Sequence, residues 1–563
     1  MHELLRQEFY GMMDDLHKNL KNKLQAENFD QILIDKITIF CSCTVEGHII
    51  KFRCVLPPAF PYELPTIYID KETYVPFSPL PHVNPDCSIC IFDKTTVIPN
   101  FRYPNQIILD SFVQARIVIQ QGITKENQKD FLNEFSAYWS IESTGIAESI
   151  VSIEDIPKPI KCYWGKGKIY LADNKESLDS FLGNIGIKQR YLKDFYDGIY
   201  LPLNIELYPP FPKSNFEMFH AVKSDVLNFE IYNKFLKTKI PKGAMVAFSL
   251  LQNGQRHIHL WMHTGISSMV KGFRKHRAPV EIAYLRDTKK SQILKFSVED
   301  LSQKRLYNRG GIGITSGISK VAVIGCGSLG SYLVEAMSEY GISSFILVDN
   351  EKLSAENIAR HFCGYEYIGY EKVTAISQKL HKENPNIHVE TFNENAFTFL
   401  DNHMDRLNEC DIVLVATAYA PLEHKILEFL NLEKLKKTTI LTWIEPFLAA
   451  GHAIILNKPQ NIFQELFDPE FRFSESVLIN SEDYLMKEAG CQSTFLPYAA
   501  FSLKRYIYTF LDYLIYHNIL KKKPGNYLYS WCGDLFSIKK KGGQISSQWA
   551  NTENYSFRVK RID

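Results

Sequence analysis

A strand–glycine–helix–strand run over residues 321–349 restricts the folding of this chain more than any other feature. It reads VAVIGCGSLGSYLVEAMSEYGISSFILVD. Val321–Ile324 is a short apolar strand, and Gly325, Gly327 and Gly330 follow it as G-x-G-x-x-G. Ser331–Tyr340 is patterned as a helix, and a second strand, Ser344–Val348, stops at Asp349. Glycines let backbone approach a phosphate closely, and a helix start turns unpaired N–H groups toward the anion. An acid about 20 residues on suits a pair of ribose hydroxyls. The run predicts a Rossmann-like α/β sheet that binds a nucleotide. By itself it leaves oxidoreductases and other nucleotide binders open.

Asn357, Arg360 and Lys372 lie just beyond that acid. Two cations there suit charge that builds on phosphates during displacement better than they suit a nicotinamide ring. With these residues the segment resembles the adenylating domain of the ubiquitin-activating and ThiF/MoeB-like enzymes, whose pattern is glycine loop, D-x-[DE], N-x-x-R, then K. The matching positions are Gly325, Gly327 and Gly330, Asp349 and Glu351, Asn357 and Arg360, and Lys372. The resemblance implies ATP and Mg²⁺, with Arg360 and Lys372 acting on the phosphates and the other residues holding the nucleotide. Arg305-Leu-Tyr-Asn-Arg309 resembles an R-Y-x-R element that relatives extend to a partner's ATP, which implies a homodimer and Arg309 as a contact in trans. Cys491, in Gly490-Cys491-Gln492-Ser493, takes the place of a downstream transfer cysteine; Trp443-Ile-Glu445-Pro resembles a strand and turn of the same family. One departure stands out. The family usually reads D-x-T-D where this chain has Asp411 to Ala418, with Val415 and Ala418 at the two acid positions. The magnesium ligands are therefore unknown, with Glu351 and Asp411 as candidates.

The front of the chain carries a second pattern. Apolar residues at helical spacing from Leu4 to Leu24 precede strand-like runs at 31–40 and 48–56, the proline-rich LPPAFPYELPTIYI, and then SICIFD with Cys90. Helical patterning returns at 106–120 and 128–139. This order resembles the ubiquitin-conjugating fold, and Cys90 stands where that family keeps its acyl-carrying cysteine. A thiolate accepts an acyl group, and the thioester stays activated toward an amine. The family's H-P-N becomes His82-Val83-Asn84, so His82 or Asn84 is the candidate oxyanion stabiliser. Cys87 is the alternative nucleophile. C-x-x-C without a second pair argues against structural zinc.

Three domains are expected: 1–145, conjugating-like α+β; 146–305, mixed α/β; and 306–563, adenylating. In the middle, His257, His259 and His263 alternate along a strand. H-x-H followed by Ser267 is close to a zinc-isopeptidase signature, but Val270 occupies the third ligand's position, so a satisfied core strand is expected. With 64 basic and 63 acidic residues, nothing in the overall charge calls for nucleic acid or an anionic membrane. Eleven scattered cysteines suit a reducing cytoplasm, and no run of 18 apolar residues appears.

In this order the parts resemble the fused activating–conjugating proteins of bacterial CBASS anti-phage systems. The resemblance implies a relay: adenylation of a protein's C-terminal carboxylate, a thioester on Cys491, transfer to Cys90, then attack by a target lysine. The implied substrate is the C-terminus of a cGAS/DncV-like nucleotidyltransferase. A ubiquitin-like protein, a sulfur-carrier adenylase and a scaffold with dead adenylation are the alternatives.

Overall fold

The computed structural model describes residues 19–562 except 36, 94–95, 166, 188–194, 267–269, 275–276, 288–290, 310–317, 459–464, 470–471, 488–493 and 517–524. The chain divides into two compact units, Met1–Leu171 with Phe195–Glu299, and Ala172–Asp194 with Asp300–Asp563. No helix among the described residues is long and apolar enough to cross a membrane.

The first unit opens with an antiparallel sheet of five strands paired in chain order: Asp30–Asp35, Thr38–Val45, His48–Val55, Thr66–Ile69 and Ser88–Ile89. Period-two alternation buries Ile39, Cys41, Cys43 and Val45 on one face, with Ile50, Phe52 and Cys54 of the next strand. Helix Pro104–Thr124 covers that face with Ile108, Phe112, Ala115 and Ile119, a stripe at helical spacing. Pro104 suits the first turn because a helix start needs no N–H there. The single strand expected over 31–40 is instead two. Asp35 pairs with Thr38, so the chain reverses between them and the second strand runs on to Val45.

Helix Phe135–Ile141 leads into a closed barrel. Its strands, in order round the barrel, are Ala244–Gln252, Gln255–His263, Ile293–Asp300, Gly145–Ser149, Lys168–Ala172, Lys158–Gly165 and Phe195–Pro202. Closure leaves no sheet edge exposed. The histidine strand is part of its core. Gln252 Nε2 lies 3.1 Å from His259 Nε2, while His263 meets Tyr232 Oη at 2.5 Å and Asn215 Oδ1 at 3.0 Å. Burial pushes both rings down to about 3, so they are neutral, satisfied core groups.

The second unit is built on an eight-stranded sheet in the order His388–Phe392, Ser344–Val348, Lys320–Ile324, Ile412–Val415, Thr438–Ile444, Ala450–Leu456, Tyr527–Cys532 and Phe557–Arg561. The first five are parallel and the last three run antiparallel. Val321 and Val323 pack on one side of the sheet, and Ala322 and Ile324 on the other. Both faces are therefore covered, as a parallel sheet requires. Strand order reverses between Lys320–Ile324 and Ile412–Val415, the place where doubly wound sheets bind ligands.

Candidate functional site

The glycine loop lies at that reversal. Gly325 has φ +90°, and a Cβ on it would stand 2.7 Å from Thr417 Cγ2 and 3.0 Å from the Ala416 carbonyl oxygen. A Cβ on Gly330 would stand 1.9 Å from the Gly325 carbonyl oxygen. Both positions therefore exclude any larger residue. Gly327 differs, because a Cβ there would meet nothing within 4 Å. It is the N-cap of helix Ser328–Glu339, and no side chain caps that helix. The open helix start and the space beside Gly327 fit an incoming phosphate.

Asp349 holds this loop. Its Oδ2 accepts the Cys326 N–H at 2.7 Å and its Oδ1 the Glu351 N–H at 2.8 Å. Burial raises the carboxyl above its ordinary range, against those two hydrogen bonds and the nearby Lys372. Lys372 is buried and pairs with Glu351, whose side chain is exposed. The Asn357 carboxamide is turned inward on its own turn: Oδ1 accepts from Ser354 N at 2.9 Å and Ser354 Oγ at 3.1 Å, capping the short helix Ala355–Arg360. Arg360 donates from Nη1 to the Leu496 carbonyl at 3.3 Å, and its guanidinium stands 5.7 Å from the Tyr498 ring centre. Its own carbonyl accepts from Ser328 Oγ in the first turn of the glycine-loop helix. The N-x-x-R turn is thus tied to the phosphate cradle through backbone.

Two residues were missed in the sequence. His361 is buried; its Nδ1 accepts the Cys363 N–H at 3.0 Å, so Nε2 carries the proton donated to the Cys326 carbonyl at 2.9 Å. Burial pushes it down to about 4, which keeps the ring neutral in that role. Glu423, in helix Ala420–Asn431, is 8 % exposed, and its Oε1 has no hydrogen-bond partner. Burial pushes its carboxyl up to about 7. Thr417 Oγ1, in the segment against Gly325, is likewise buried without a partner. Thr417, against Gly325, and Glu423, in the first turn of the helix that follows, thus offer unpartnered hard oxygens of the kind Mg²⁺ takes. The signal available in the sequence was an acid four residues into a helix otherwise apolar on that face. Asp411, a candidate ligand on sequence grounds, is corrected by its position. Its Oδ2 accepts from Ser319 N at 2.7 Å and Lys320 N at 3.0 Å, at the opposite end of the strand from the glycine loop.

Glu445 is also a structural group. Its two oxygens accept the N–H groups of Val477 and Leu478, each at 2.8 Å, and His452 Nε2 lies 2.9 Å from Oε1. Arg309 ends helix Gln303–Arg309, but its side chain lies outside the described residues, as does Cys491 altogether.

In the first unit, Cys90 follows strand Ser88–Ile89 and donates its N–H to the His82 carbonyl at 2.8 Å. Among the described cysteines Cys90 alone is exposed; Cys87 is half-buried and the rest are buried. The His82 ring faces two carboxylates, Asp130 Oδ2 at 3.0 Å and Glu134 Oε1 at 3.5 Å. The His82 N–H donates to Tyr138 Oη at 2.8 Å. Burial pushes the Tyr138 phenol up, against the His82 N–H, with Glu134 acting the same way as burial. Asn84 donates one Nδ2–H to Ser88 Oγ at 2.9 Å. Helix Phe135–Ile141 presents Tyr138 to the cysteine loop, while Phe135 and Trp139 lie in the barrel-side core. That division follows from helical spacing.

Residues 317–442 match the ThiF family, and residues 13–146 match prokaryotic E2 family B. The chain joins a ThiF domain to a prokaryotic E2 domain. The combination is Cap2-like: the chain is 22% identical to the ATP-dependent ubiquitin transferase-like protein Cap2 of Pseudomonas aeruginosa over 88% of its own length and 86% of that protein's. It is also 35% identical to ubiquitin-like modifier-activating enzyme 5 of Drosophila persimilis, over 16% of this chain. The chain spans about a quarter of that relative's length, 23%. A solved structure of PaaA is similar at 17% identity, over 43% of this chain and 64% of that one, with a TM-score of 0.29. That likeness is too slight to argue from.

Proposed function

We propose that the chain is an ATP-dependent protein-conjugating enzyme of the ubiquitin-activating and -conjugating kind. It activates the C-terminal carboxylate of a partner protein and passes the acyl group through two cysteines to an amine. The observation that carries this reading is the pairing, in one chain, of a phosphate cradle with an exposed thiol at Cys90.

In the first step the partner's carboxylate oxygen attacks the α-phosphorus of ATP, and pyrophosphate leaves. Gly325, Gly327 and Gly330 admit the phosphates, and the remaining lone pairs of Asp349 accept from ribose hydroxyls. Glu351 and Asn357 hold the turns of the nucleotide site, and Arg360 and Lys372 offset the charge gathering on the phosphates. Arg309 of a second copy adds to that charge in a homodimer. Mg²⁺ supplies further neutralisation at the phosphate oxygens when bound. In the second step the Cys491 thiolate attacks the acyl carbon and AMP leaves. The Cys90 thiolate then displaces Cys491, and a lysine amine displaces Cys90 to leave an amide. Covalent linkage of the two cysteines raises their effective concentration.

The partner implied by the family resemblance is a cGAS/DncV-like nucleotidyltransferase of a CBASS system in the cytoplasm. A ubiquitin-like protein is the second reading, and the similarity to a ubiquitin-like modifier-activating enzyme favours it. The domains are 1–145, 146–305 and 306–563, as carrier, middle and adenylating parts.

Cys491→Ala tests the order of steps. Adenylate formation should persist, while the reducible adduct between enzyme and partner disappears on a non-reducing gel. An adduct that survives this substitution moves the first thioester to another cysteine.

A further inference from the structure

Mg²⁺ at a nucleotide site usually takes one or two protein carboxylates beside the substrate phosphates, and this chain has alanine at position 418. The local geometry supplies an acid from a different direction. Strand Ile412–Val415 pairs with the glycine-loop strand and ends in a segment whose Thr417 packs against Gly325. Ala418 then takes φ +50°, the left-handed region, which turns the chain into helix Ala420–Asn431. Glu423 stands in the first turn of this helix, four residues after Tyr419, and is buried. The Glu423 Oε1 has no hydrogen-bond partner, and neither has Thr417 Oγ1.

A place in the first turn of a helix would explain an acid there. It would not explain why an acid is nine-tenths buried with an oxygen unsatisfied, an arrangement that costs free energy unless another group completes it. Mg²⁺ takes one or two carboxylates and fills its remaining octahedral positions with substrate phosphates and water. A single carboxylate beside a phosphate cradle therefore suffices.

We propose that Glu423 is the protein carboxylate that holds the magnesium of Mg–ATP in this chain, replacing an acid at position 418. The proposal rests on reading the glycine loop as an ATP site, and Thr417 Oγ1 is the second oxygen available there.

The test is ATP affinity measured by calorimetry on the full-length protein, once with Mg²⁺ and once with EDTA, with no conjugation partner present. The ratio of the two affinities reads the metal contribution. Glu423→Gln keeps the size and shape of the side chain and should lower that ratio by about tenfold or more. Adding Ala418→Asp to Glu423→Gln should recover it, which simple damage to the fold would not allow. A ratio unchanged in Glu423→Gln overturns the assignment alone. Absence of ATP affinity in the unsubstituted protein, with and without metal, overturns the ATP site itself and the assignment with it.

Discussion

Cys90→Ala stops conjugate formation and leaves the activated acyl group on Cys491. Loss of the carrier thiol should lower the rate of amide formation by roughly 10³-fold or more, as expected when a covalent nucleophile is removed. Pyrophosphate release should continue, because the thiol takes no part in adenylation. The prediction is sharp because the other described cysteines are ill suited to replace it. Cys41, Cys43 and Cys54 lie in the sheet core, where burial pushes their thiols up. Cys87, three residues away, has φ +67° and donates its N–H to the Asn84 carbonyl at 2.8 Å in a closed turn. A time course of conjugates beside a non-reducing gel checks both halves of the claim. Conjugates forming at the normal rate would make the front domain a recruiter and return the carrier role to another group.

Gly330→Ala has a comparably large effect by a different route. The added methyl would lie 1.9 Å from a backbone oxygen of the same loop, so the loop must move. Losing one or two charge-assisted hydrogen bonds to phosphate costs about 1.5–3 kcal/mol each, or roughly 10- to 10⁴-fold in ATP affinity. Gly327→Ala separates ligand from fold, since its methyl meets no protein atom within 4 Å. A loss of affinity there, with thermal unfolding unchanged, places the phosphate against Gly327. Normal ATP affinity in both variants would remove the cradle from the nucleotide site.

The adenylating half was legible in the sequence because its signals are local. The glycine spacing, Asp349 and Lys372 each sit in or beside the element they serve, and strand–helix alternation dictates a parallel sheet with both faces covered. Cys90 follows directly on a paired strand and is exposed, so the local pattern around it is also read from nearby residues. The barrel was not, because its closure depends on distant pairings such as Phe195–Pro202 against Ala244–Gln252, which leave no local mark. The metal question went astray at Asp411, whose oxygens are committed to the N–H groups of Ser319 and Lys320. The parts played by His361 and Glu423 come from burial against elements remote in the chain, and a pattern of residue types does not record burial. Of the two oxyanion candidates, Asn84 donates one Nδ2–H to Ser88 and the His82 ring faces Asp130 and Glu134, partners that spacing along the chain does not reveal.

The most direct test of the central claim is exchange of radiolabelled pyrophosphate into ATP. The protein would be incubated with Mg²⁺, ATP and a cGAS/DncV-like nucleotidyltransferase bearing its free C-terminal carboxylate. The account predicts exchange that requires that carboxylate, falls away when the tail is truncated, and persists in Cys90→Ala. No exchange at saturating ATP and Mg²⁺, under conditions where a Cap2 relative exchanges with the same partner, would contradict it.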